Sequence, residues 1–148
     1  MICTLFFALS GISVASTISL TRSEADLLAA INTVRAAHGL RPLLADAALG
    51  RAARAHSLDE LRRGYFDHGP WAARVLGVGA RGPYLGENLA WGRGAVASPA
   101  SVVRMWLQSP EHRANLLHPR FTRVGIAMPH GSFQGFGSVS MITADFSG

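Results

Sequence analysis

Gly86-Glu87-Asn88-Leu89-Ala90-Trp91 sets one carboxylate between a flexible glycine and an apolar run. The composition of Leu89, Ala90 and Trp91 predicts a strand that enters a core, which puts Glu87 at the core's edge. A carboxyl there feels both desolvation and its neighbours, and either can move its pKa. Two readings follow. Glu87 and Asn88 either bond loop backbone only, or Glu87 belongs to a functional cleft with partners elsewhere in the chain.

Downstream of this stretch, Ser98-Pro99 opens a helix in the favoured order of cap then proline, with Val102, Val103 and Trp106 on its inward face. Ser109-Pro110 ends that helix and starts a further turn carrying Glu111, His112 and Arg113. Past His118-Pro119 the period changes, since Val124, Ile126 and Met128 alternate with small residues. Residues Val139 to Phe146 form a second β-like run, and the Gly-rich stretch Pro129 to Gly137 is expected to link the two as a long hairpin loop.

Upstream, Ser23 and Asp26 resemble a capping box, and Leu27, Leu28, Ile31 and Val34 recur at helical spacing until His38-Gly39 stops them. Asn32 and Arg35 on this helix read as solvated or bonded to a neighbouring loop. After the linker Leu40 to Leu44, Asp46 caps a second helix that runs through Leu49, Ala52, Ala53, His56 and Leu61 to Gly64. His56 shares a face with Leu49 and Ala52 and reads as a histidine at the core margin. A short helical turn through Trp71 and Val75 follows, then a loop with Gly77, Gly79 and Gly82. Helices first and strands last, with an extra strand at residues 86–91, give an α+β fold rather than repeated βαβ units.

The chain has 148 residues, 49% of them hydrophobic, which suits one domain with a sizeable core. Its net charge of +5 comes from fourteen basic residues, all Arg, against nine acids. No basic run with interleaved aromatics occurs, so nucleic acid is not an expected partner. Residues 1–20 carry no charged side chain, hold an apolar run from Leu5 to Leu9 and continue in small residues with a cleavage-like Ser13-Val14-Ala15 triplet. They read as a secretory signal peptide, with a retained anchor as the alternative, and residues 21–148 read as the mature domain. Ser10, Gly11 and Ser13 interrupt the leader, so no stable membrane span is expected after cleavage. The single cysteine, Cys3, falls inside the leader; the secreted or periplasmic fold must then stand without disulfides.

His68, Glu87 and His112 all sit where regular structure breaks, and functional groups favour such places. They are the candidate site. Two imidazoles, His68 and His112, can bind a divalent metal such as zinc, with Glu87 as a base for metal-bound water. Without metal, a His and Glu pair can act as base and orienting group. Ser109 precedes Pro110 and reads first as a helix cap.

INTVRAAHGLRPL, RGYFDHG, GENLAWG and VVRMWLQSPEHRANLLHPRFTRVGIAM occur in that order between Glu24 and Phe146. On these stretches the chain resembles the CAP superfamily of cysteine-rich secretory, antigen 5 and pathogenesis-related-1 proteins, especially its bacterial SCP-domain branch. The resemblance implies a three-layer α-β-α sandwich with a small antiparallel sheet, and a secreted location. It also implies a central cavity of two His and two Glu, carried over here to His68, Glu87 and His112. The fourth position departs: Ser109 stands where the fuller pattern has a glutamate, and Glu111, beside His112, is not taken as its replacement. The expected function is a monomeric module binding a small-molecule, lipid or cell-envelope ligand; the alternative is a metal-assisted peptidase or cell-wall hydrolase.

Overall fold

The computed structural model describes residues 19–80 and 82–148. The expected leader, apart from Ser19 and Leu20, lies outside the described residues, as does Cys3. Among the described residues no helix is long and apolar enough to cross a membrane.

Helix α1 runs Arg22–Ala37 and starts two residues earlier than the sequence suggests. Thr21, not Ser23, is its N-cap: the Thr21 hydroxyl accepts from the Glu24 amide and the Glu24 carboxylate takes the Thr21 amide at 2.8 Å. Both Thr21-x-x-Glu24 and Ser23-x-x-Asp26 fit the box; the longer Glu side chain also reaches the Met128 amide, which ties the helix start to the sheet. Gly39, at φ 68°, closes the helix as expected. Asn32 exchanges two hydrogen bonds with the backbone of Leu43, at 3.0 and 2.8 Å. The fully buried Arg35 donates to the carbonyls of Arg41, Leu116, His118 and Phe121. Both residues therefore bond neighbouring loops.

Asp46 caps helix α2, Ala47–Arg63, by accepting from the Ala48 and Leu49 amides at 2.9 and 3.0 Å. Two further helices are α3, Trp71–Gly77, and α4, Pro99–Gln108; α5, Pro110–Leu116, follows α4 directly. Ser109 occupies the cap position of α5 through its carbonyl, which accepts from Arg113 at 2.8 Å, while its hydroxyl makes no capping bond.

The strands are β1 Leu44–Ala45, β2 Leu85–Gly92, β3 Arg123–Ala127, β4 His130–Phe133 and β5 Phe136–Ser147, joined in the order β1-β3-β5-β2 with β4 also on β5. Residues 86–91 thus form a strand, and it lies at an edge of the sheet. Two features differ from expectation. The Gly-rich stretch holds β4, closed onto β5 by Gln134-Gly135 with positive φ at both residues, as a tight hairpin requires. The sheet is also not wholly antiparallel, because β1 pairs with β3 in parallel.

Alternation along β5 sorts the core into two layers. Ile142, Ala144 and Phe146 pack with Leu27 and Ile31 of α1, Val102, Val103 and Trp106 of α4, and Leu116 of α5. Thr143 faces α2, where its hydroxyl meets Ser57 at 2.7 Å. Here α2 approaches the sheet closely, since a Cβ added at Gly125 would fall 2.1 Å from the Leu49 carbonyl carbon. Helices on both faces of a central sheet make the α-β-α sandwich. The edge strand β2 meets α3 on one face and α5 on the other.

Candidate functional site

Where α3 and α5 flank the start of β2, a cavity of about 400 Å³ opens. Its lining includes His68, Glu87 and His112, so the structure brings all three candidates together. His68 lies in the segment between α2 and α3, Glu87 on β2, and His112 in the first turn of α5. Trp71, Leu85, Asp67, Glu111 and Asn115 complete most of the wall.

Two amides lock this arrangement. The Asn115 side chain donates to the Glu87 carbonyl at 3.0 Å and to Asn88 Oδ1 at 2.9 Å, and Asn88 Nδ2 donates to the His112 carbonyl at 3.0 Å. Asn88 therefore does bond backbone, and by doing so it holds α5 against the edge strand. Gly86 permits the close approach: a Cβ there would lie 2.6 Å from Asn115 Oδ1 and 2.9 Å from Phe121 Cζ.

Glu87 behaves differently. Its side chain is 1% exposed, yet both oxygens are engaged: Oε1 accepts from His68 Nδ1 at 2.7 Å, and Oε2 pairs with the Arg74 guanidinium. Burial pushes the Glu87 carboxyl up to about 7, against the downward pull of Arg74. Across the ladder its register partner is Asp145, fully buried and pushed up to about 8 by burial and then by the charge of Glu87. Neither Asp145 oxygen has a hydrogen-bond partner. Burial also holds the His112 imidazole below its ordinary range.

Behind this pair, His56 Nε2 and Glu60 Oε1 on α2 are 3.6 Å apart. Burial, then the charge of Arg74, lowers His56 to about 4; burial raises Glu60 to about 7. His56 is buried at the core margin, as its helix position suggests, and Glu60 accepts from the Asp67 amide at 3.3 Å, just before His68. Ser109 does not line the cavity, whereas Glu111 does.

Two residues of the site escaped the sequence reading. Arg74 sits on the short helix α3, where the sequence marks only Trp71 and Val75. Asp145 carried a usable signal, because it is the one acid inside the apolar run Val139 to Phe146, the same anomaly that marks Glu87.

For a metal, His68 has given Nδ1 to Glu87, so Nε2 and the His112 ring are the available imidazole donors. Among the described residues no three His, Cys, Asp or Glu side chains converge on one point.

A helix-flanked sheet with a polar cavity at its edge, built from two imidazoles and a buried carboxylate, defines the class: an α-β-α sandwich with a His/Glu cleft. The chain belongs to the CAP family, the cysteine-rich secretory protein family, whose sequence model matches residues 28–143. It is 34% identical over 113 residues to the uncharacterized protein YkwD of Bacillus subtilis, which covers 73% of this chain and 43% of that protein. The chain thus spans less than half the length of that relative. Among solved structures, an extracellular protein containing an SCP domain from Bacillus anthracis superposes with a TM-score of 0.69 at 24% identity, covering 88% of this chain and 45% of the other. An outer surface protein from Borrelia burgdorferi gives 0.69 at 18% identity, covering 86% and 95%. At these identities the structures share the fold.

Proposed function

We propose that the chain is an extracytoplasmic binding module whose cleft holds a polar ligand of the cell envelope. One observation carries the reading: at the base of the cleft Glu87 is buried, neutralised by Arg74 and fixed by His68. The carboxylate is organised before any ligand arrives, and preorganised polar groups in a concave site are what ligand recognition needs. The leader-like first twenty residues support an extracytoplasmic place. So does the likeness to proteins described as extracellular or outer-surface.

Calorimetric titration with soluble peptidoglycan fragments, and separately with phospholipid vesicles, tests the reading. Saturable binding that weakens at least tenfold in His112→Ala is expected for one of the two; no binding to either, or equal binding by the variant, would overturn it. Zinc in the same experiment tests the two imidazoles as a metal pair: heat that disappears in both His68→Ala and His112→Ala would show them binding it.

The 2.7 Å bond between His68 Nδ1 and Glu87 favours a second reading, hydrolysis by general base catalysis. A buried carboxylate that holds one ring nitrogen orients the other, Nε2, to take a proton from an attacking water and return it to the leaving group. Product release from peptidoglycan or a peptide library would then stop in His68→Ala; release that persists in that variant excludes it.

A further inference from the structure

Glu87 and Asp145 stand directly opposite each other on β2 and β5, and two like charges in that position oppose each other. Both are buried, at 4% and 0% exposure, so water does not screen them. Their surroundings are unequal. The donors, His68 Nδ1 and the Arg74 guanidinium, go to Glu87. Neither oxygen of Asp145 receives one. A carboxyl that receives two charge-assisted bonds is the natural anion, and one that receives none can only gain a bond by donating it.

The groups facing Asp145 reinforce the assignment. Glu87 meets it from β2, Arg74 from α3 and His68 from the segment before α3. From α2, Glu60 and His56 feel the charge of the same guanidinium, which favours the ionised form of Glu60 and opposes protonation of His56. Arg74 is thus one fixed cation among three carboxyls, Glu60, Glu87 and Asp145. Once Glu87 balances it, a second ionised acid would stand uncompensated in a buried space.

We propose that Asp145 is a neutral carboxylic acid near neutral pH, that it donates its proton as a hydrogen bond to Glu87, and that it thereby fixes Glu87 as the anion of the cleft. Asp145 is a positioning residue on β5 that acts through Glu87. The assignment does not depend on which ligand the cleft takes. The pKa directions agree with the geometry, since both acids are raised and Asp145 more so, to about 8 against about 7.

Infrared spectroscopy of the full chain at neutral pH is the test. The wild-type-minus-Asp145→Asn difference spectrum should contain the carbonyl stretch of a protonated carboxyl, shifted by deuterium exchange; subtraction removes any band from Glu60. The side chain of Asn is neutral, nearly isosteric and keeps a donor toward Glu87. Asp145→Asn should therefore unfold within a few degrees of wild type, and Asp145→Ala well below both. A difference spectrum without that band, or Asp145→Asn destabilised as far as Asp145→Ala, would overturn the proposal.

Discussion

Replacing Arg74 with Met keeps most of the side chain's apolar stem and removes the guanidinium. The Glu87 side chain is 1% exposed and that of Arg74 18%, so little water can take the lost partner's place. Removing one member of a buried pair costs about 3–5 kcal/mol. The partial exposure of Arg74 puts this case near the lower end, about 3 kcal/mol. The loss must also depend on pH. Arg74 pulls the Glu87, Asp145 and Glu60 carboxyls down, so its removal raises all three further. A group with a raised folded-state pKa contributes stability that is fully present below its unfolded value and lost as pH rises through the folded value. For Glu87 that window runs from its ordinary 4.5 to about 7 in the wild type, and extends higher in the variant. Urea unfolding of both proteins at about pH 5 and about pH 8 measures the difference, read as a shift in midpoint at constant slope. The variant should be close to wild type at the lower pH and lose the full amount at the higher one. Equal losses at both, or none, would refute the charge-balance reasoning.

Trp106 is fully buried and donates from Nε1 to the Leu89 carbonyl at 2.9 Å; Trp106→Ala should cost about 3–5 kcal/mol by chemical denaturation. Gly86→Ala forces Asn115 and Phe121 apart, and should lower stability by about 1–3 kcal/mol in urea unfolding while shifting the His112 ring signals in NMR. Stability held by the neutral His56 is fully present above its ordinary 6.5 and lost as pH falls through about 4, so thermal midpoints of His56→Asn should fall less steeply with acid across that window.

Local chemistry was legible. The alternation of Val124, Ile126 and Met128, the Asp46 cap, the Gly39 and Gly64 stops and the strand at residues 86–91 all depend on near neighbours and came out as read. His68, Glu87 and His112 were legible because each breaks a local pattern. What failed depends on distant partners. Thr21 and Ser23 both fit a capping box, and the tie from Glu24 to Met128 accompanies the first. Strand β4 hides among glycines because its pairing comes from β5 rather than from its own residues. Asp145 breaks the apolar run Val139 to Phe146, but only the strand register sets it opposite Glu87, and only the placement of α3 brings Arg74 there.

We propose the cleft around Glu87 as the place where this protein meets its ligand. Titrating the isotope-labelled chain with soluble peptidoglycan fragments, while following backbone amides, the Trp71 indole and the imidazoles of His68 and His112 by NMR, tests it most directly. Saturable shifts should concentrate on residues 67–71, 85–88 and 111–115 and be lost in His112→Ala. Shifts that saturate elsewhere on the sandwich, or persist unchanged in that variant, would contradict the claim.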